Sequence, residues 1–143
     1  MKFLLDTNVY LQAARSHEGR QRFRETFLPL LPSTVLSAVV AYELCVDARD
    51  DRTRELVAGY LTPMERAGRT VSPTFADWSE AASIVTSIET KNTSWRSKLP
   101  ALLNDVLIAL GARRVGAVLL TYNRADFRLI RRHKEFALRA LEP

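Results

Sequence analysis

Residues 1–11 read MKFLLDTNVYL. Phe3-Leu4-Leu5 is a short apolar run suited to a buried strand, and it ends directly on an acid, Asp6, followed by the small polar residues Thr7 and Asn8. Thr7 or Asn8 is well suited to cap a helix over Val9 to Arg15. The same grammar recurs along the chain. Thr34–Ser37, Arg69–Ser72, Ala117–Thr121 and Ala137–Leu141 read as further strands, the fourth of these five, Ala-Val-Leu-Leu-Thr, being the clearest. Between them the spacing predicts helices over Glu18–Leu31 (broken by Pro29 and Pro32), Val39–Ala48, Thr53–Glu65 (interrupted by Pro63), Phe75–Glu89, Pro100–Arg114 and Ala125–Arg132. Thr74-x-x-Asp77 has the form of a capping box, and the polar, basic Lys91–Leu99 reads as a loop. Strands that are apolar throughout and separated by helices imply a mostly parallel sheet of four to five strands, covered on both faces. In such a fold ligands gather at the carboxyl ends of the strands, which is where Asp6 falls.

Length and composition set the bounds. A chain of 143 residues fits one domain, residues 1–143. No apolar run approaches the ~18 residues a membrane helix needs, and the first is too short for a secretion signal, so a cytoplasmic protein is expected. Cys45 is the single cysteine, which excludes an internal disulfide and any multi-cysteine zinc site; its flanks, Leu44 and Val46, predict a buried thiol. The net charge is +5, and from Gly111 onward eight basic residues face three acids, Asp126, Glu135 and Glu142. A basic surface raises the local concentration of a polyanion such as RNA.

The informative acids are those embedded in apolar segments. Glu43 lies in VVAYELCV, with Val39 four residues before it and Val46 three after, and Asp105 lies in ALLNDVLIAL between Leu102 and Ile108. Helical spacing turns both inward. In LLTYNRADF, Asn123 and Asp126 follow the strand that ends at Thr121; this spacing serves either to cap the next helix or to bring a fourth acid to the site. Carboxylates gathered in a partly buried cleft repel one another and lose hydration, so some would stay protonated near neutral pH without compensation. A divalent cation relieves both penalties. All-oxygen ligation is the pattern for Mg²⁺ or Mn²⁺, while His17 and His133, the only histidines, have no partner at zinc-ligand spacing.

Taken in series, Asp6-Thr7-Asn8, Ser37 through Glu43-Leu44, Asn104-Asp105-x-x-Ile108-Ala109 and Thr121-x-Asn123-x-x-Asp126-Phe127 resemble the PIN-domain ribonucleases, most nearly the VapC-like toxins of prokaryotic toxin–antitoxin pairs. The resemblance implies a PIN-like three-layer α/β/α fold and a metal-dependent endoribonuclease. It further implies a homodimer held inactive by a cognate antitoxin. Asp6, Glu43 and Asp105 match the family's three acids, and Asp126 with Asn123 match its more variable fourth position. Asn8 and Thr121 match polar positions that steady the cluster. The implied reaction is hydrolysis of an RNA phosphodiester by a metal-activated water, leaving 5′-phosphate and 3′-hydroxyl ends. Asp6 and Asp105 are expected as direct ligands, with Glu43 and Asp126 binding directly, through water, or orienting the nucleophile. The alternatives are an RNA-processing nuclease of the same type with no antitoxin, and a non-cleaving RNA- or protein-binding module.

Further residues carry weaker signals. Trp95 in KNTSWRSK, beside Arg96, is either a platform for an unpaired base or a packed loop anchor. Arg124 and Arg128 of the basic helix are expected to face RNA. Trp78 is expected in the core or in a dimer contact. Asp47, Asp50 and Asp51, after Glu43, read as a solvated helix end or as accessory acids.

Overall fold

A computed structural model describes residues Met1–Pro143. Strand β1 (Lys2–Leu5) pairs in parallel with β4 (Ala117–Thr121), Leu5 opposite Leu120, and β4 pairs in parallel with β5 (Leu138–Ala140). On its other edge β1 meets the approach to β2 (Leu36–Ser37): Phe3 bridges Thr34, and the Val35 N–H donates to the Phe3 carbonyl at 2.8 Å. β2 pairs in parallel with β3 (Thr70–Val71). The strand order is therefore β3-β2-β1-β4-β5. All five expected strands are present and all are parallel.

The chain leaves β1 towards β2 and β3, then crosses back to β4 and β5. With right-handed crossovers, this places α1 (Thr7–Arg15), α2 (His17–Arg22), α3 (Ala38–Asp47), α4 (Asp51–Leu56) and α5 (Thr62–Arg66) on one face. The same rule puts α6 (Phe75–Lys91), α7 (Leu99–Val115) and α8 (Arg124–Arg131) on the other. Helix α7 lies against β4 and is flanked by α6 and α8, and every residue from Val106 to Ala112 on it is buried. The chain reverses direction between β1 and β4, which makes the gap beside their carboxyl ends the switch point of the sheet.

Local chemistry fixes the elements. Ser37 Oγ accepts from the Val39 and Val40 N–H groups to start α3, and Thr74 with Asp77 closes the expected capping box at the head of α6. Asp77 is also held by Arg114 of α7, which ties the two long helices together. Gly116, at φ 69°, ends α7 in the left-handed conformation that a residue with a Cβ adopts at a cost.

Several expectations are corrected. The helix predicted over Glu18–Leu31 is α2 followed by a π-helical turn (Phe23–Phe27) and a 3₁₀ turn (Leu28–Ser33), because Pro29 and Pro32 cannot donate to a continuing α-helical ladder. Over Thr53–Glu65, a π-helical turn (Val57–Leu61) precedes Pro63 and joins α4 to α5 without a break. The expected loop at Lys91–Leu99 contains a 3₁₀ turn, Thr93–Lys98. Cys45 is exposed, not buried: α3 turns Val39, Val40 and Leu44 inward and leaves Tyr42, Cys45 and Val46 facing out. Trp78 is 50% exposed and lies outside the core of this chain.

Leu119 is fully buried at the centre of β4, between β1 and β5. Leu119→Ala should lower the unfolding free energy by about 2–5 kcal/mol, read from urea melts against wild type.

Candidate metal centre

The switch point is lined with acids. Asp6 follows β1, and register sets it beside Thr121 at the end of β4, with the Asp6 N–H donating to the Leu120 carbonyl at 3.0 Å. Asp6 is the N-cap of α1, accepting the Thr7 N–H on Oδ1 at 2.8 Å. The cap expected from Thr7 or Asn8 is thus supplied by the acid itself, and those two side chains turn to other work. Asp6 Oδ2 accepts the Thr121 hydroxyl at 2.7 Å and the Asn8 amide at 3.3 Å. Thr121 Oγ1 accepts in turn from the Asn123 N–H at 2.9 Å.

Three more elements bring the other acids. Glu43 lies on α3 between Val39 and Leu44; Val46, expected in the buried stripe with Glu43, is half-exposed and lines the same cleft. Thr7 Oγ1 donates to Glu43 Oε1 at 2.6 Å, and the Asn104 amide reaches Glu43 Oε2 at 3.5 Å. Asp105 projects from the N-terminal part of α7, ahead of its fully buried centre. Asp126 lies in the first turn of α8. Asn123 makes no side-chain cap to α8; its amide instead spans Asp126 Oδ2 at 3.0 Å and Asp105 Oδ2 at 3.4 Å. An amide between two carboxylates offsets part of their repulsion, and the cap that Asn123 could have given α8 is not made.

All four acids, with Asn8 and Asn123, line one open cleft of about 540 Å³. Arg15, Tyr42, Asp47 and Asn104 also face it. Asp50 caps α4 through the Thr53 N–H and Asp51 pairs with Arg54, which leaves Asp47 as the one acid of that trio in the cleft. Trp95, Arg96, Arg124 and Arg128 do not line it. Trp95 packs half-buried on the core with Lys98 above its ring, Arg96 pairs with Glu89, and Arg124 pairs with Glu142. Sequence reasoning left Asn104 without a role and assigned Thr7 to capping; the signal for Asn104 was its polarity beside Asp105 in an otherwise apolar helix.

Electrostatics show what the cleft lacks. Burial drives the Asp6 carboxyl up to about 6, against hydrogen bonds from Thr121 and Thr7 that favour its charged form. Asp105 is pushed further, to about 8, by burial and then by the negative charges of Asp6, Glu43 and Asp126. A divalent cation would relieve these two acids most. The donor set is carboxylate and amide oxygen, which suits Mg²⁺ or Mn²⁺. No three acidic, histidine or cysteine side chains stand at ligand spacing for one ion. A Mg²⁺-type site needs fewer protein ligands: one or two carboxylates hold the ion, and water and substrate phosphate complete its shell. The chemistry of this donor set fits such an ion, and Asp6 and Asp105, the two acids most raised by burial, would be the pair to hold it.

A parallel α/β domain with an acidic cleft at its switch point defines the class, and sequence comparison names the family. The PIN-domain family model matches residues 3–132, and the chain belongs to that family. A search of curated protein sequences finds no match. Among solved structures, a chain of VapBC2 from Rickettsia felis, bound to a DNA fragment from its promoter, superposes with a TM-score of 0.62 at 17% identity, covering 99% of this chain and 100% of that one. FitAB bound to the IR36 DNA fragment gives 0.64 at 18% identity (99% and 98% covered), and VapBC-1 from nontypeable Haemophilus influenzae gives 0.60 at 21% (98% of each). At these identities the likeness is one of fold.

Because the Asp105 carboxyl sits near 8 in the folded chain against an ordinary 3.8, the folded state binds a proton that the unfolded state releases. Its contribution to stability is complete below the ordinary value and is lost as pH rises through about 8. The metal-free thermal midpoint should therefore fall between pH 5 and pH 8.5. Mn²⁺ should raise it more at pH 8 than at pH 5.5, and Asp105→Asn should flatten both dependences; scanning calorimetry with and without metal checks this.

Proposed function

We propose that this protein is a Mg²⁺- or Mn²⁺-dependent endoribonuclease, the toxin of a toxin–antitoxin pair. The observation that carries the reading is the convergence of Asp6, Glu43, Asp105 and Asp126, from four separate elements, on one cleft at the sheet's switch point. Family membership and the motif series support a nuclease. The solved chains that share its fold come from VapBC and FitAB assemblies, which supports a cognate partner protein.

The chain's own residues divide the work. Asp6 and Asp105 would hold the ion, and Thr121 and Asn8 fix the Asp6 oxygens. Glu43, steadied by Thr7 and Asn104, and Asp126, steadied by Asn123, face the same space and orient the attacking water. When bound, the metal supplies charge neutralisation at the phosphoryl group and lowers the pKa of water, so no histidine base is needed. Water adds to phosphorus and the 3′ oxygen leaves with a proton, giving 5′-phosphate and 3′-hydroxyl ends. Among the large apolar side chains left exposed, Phe75 and Trp78 on α6 are available to a homodimer or to the antitoxin. No helix is long and apolar enough to cross a membrane, and the setting proposed is the cytoplasm.

Purified protein incubated with total cellular RNA should yield discrete fragments with Mg²⁺ or Mn²⁺ and none with EDTA. Asp6→Asn or Asp105→Asn should each slow cleavage by roughly 10²–10³, the scale seen when a group that stabilises transition-state charge is removed. Cleavage unaffected by either substitution would sink the assigned site, and cleavage in EDTA would sink the mechanism. A small neighbouring gene for a DNA-binding protein is expected; without one, the RNA-processing reading is preferred.

A further inference from the structure

The cleft that should receive RNA is lined by five acids, the four above and Asp47, and by a single basic residue, Arg15. A polyphosphate chain entering that space meets like charge on nearly every side, so the position of any fixed cation decides where its backbone can lie. Arg15 is the last residue of α1, is exposed, forms no ion pair, and donates no side-chain hydrogen bond. Four of the eight basic residues from Gly111 onward are engaged elsewhere. Arg113 donates to the Glu135 carbonyl, Arg114 to Asp77 and the Ser72 carbonyl, Arg124 to Glu142, and Lys134 to Glu80.

Tyr42 adds a second, independent observation. It precedes Glu43 on α3, lines the same cleft and is 64% exposed, with no hydrogen bond and no aromatic neighbour. A large ring left open beside a nuclease cleft is a surface on which an unpaired base can stack. Trp95, by contrast, is occupied against the core and lies outside the cleft.

We infer that Arg15 and Tyr42 form the substrate-guiding edge of the cleft, Arg15 holding a backbone phosphate that flanks the scissile one and Tyr42 stacking a base of single-stranded RNA. This rests on the ribonuclease reading and names its substrate contacts. Arg15 lies nine residues beyond Asp6, about 13 Å along α1 at the helical rise, so the phosphate it holds is a different one from the reacting phosphate. Base stacking on a single ring tolerates any base, and a duplex offers none unpaired, so the site discriminates for unpaired RNA.

The test uses fluorescence anisotropy on a single-stranded oligoribonucleotide with Asp105→Asn protein to prevent cleavage, and steady-state cleavage with the active chain. Arg15→Ala should weaken binding about tenfold and lower the slope of log affinity against log salt by about 0.7, the single-strand value for one phosphate contact. Arg15→Lys should keep that slope. Tyr42→Ala should weaken binding roughly 5- to 100-fold, on the scale of one lost stacked base, and Tyr42→Phe should restore it. In turnover, both losses should appear in KM, with kcat at saturating RNA retained. Wild-type cleavage with alanine variants that bind as wild type and keep the salt slope overturns this inference alone. A wild-type protein that neither binds nor cleaves RNA overturns it together with the ribonuclease reading.

Discussion

The Thr121 hydroxyl gives its proton to Asp6 Oδ2 at 2.7 Å while its oxygen takes the Asn123 N–H at 2.9 Å and lies 3.4 Å from the Asn8 amide. Thr121 is fully buried at the end of β4, so this one group joins the mouth of the first strand to the mouth of the fourth across 115 residues of sequence. Asp6, Asn8 and Asn123 all take their positions from it, and through Asn123 so do Asp105 and Asp126. The parallel register of β1 and β4 is what brings Asp6 alongside it. That strand pairing sets the place of Asp6, to which α3 and α7 bring Glu43 and Asp105.

The site carries a tension that the fold does not resolve unaided. Neutral donors, a threonine hydroxyl or an asparagine amide, approach each acid, yet the two deepest carboxyls still sit at about 6 and about 8. Using neutral donors in place of arginine or lysine leaves the negative charge uncompensated. A cleft built this way would favour a cation, and the same uncompensated charge costs the fold stability. The exposed arginine at its rim then acts on substrate without quenching the acids within.

Much of this was legible in the sequence because the relevant signals are local. Apolar strands without alternation announced a doubly covered parallel sheet, and acids inside apolar helices announced a cleft, since a solvated acid has no reason to sit between Leu102 and Ile108. What was not legible depended on which face of a helix its neighbours cover. α3 is apolar on almost every side, so spacing alone could not tell the inward stripe of Val39, Val40 and Leu44 from the outward one of Tyr42, Cys45 and Val46. For the same reason Cys45 was expected inside. The basic C-terminal third read as an RNA-facing surface, yet ion pairs and carbonyl contacts that form only on folding occupy half of it. Arg15, an ordinary helix-ending arginine in sequence, gains its meaning from facing five acids.

We propose that Asp6 and Asp105 together hold a divalent ion at the carboxyl ends of β1 and β4. Anomalous diffraction from crystals soaked in Mn²⁺ tests it most directly. The account predicts a peak bonded to one oxygen of each of these carboxylates, lost in Asp105→Asn crystals; a peak elsewhere on the surface, or a cleft empty of manganese at saturating concentration, would contradict it.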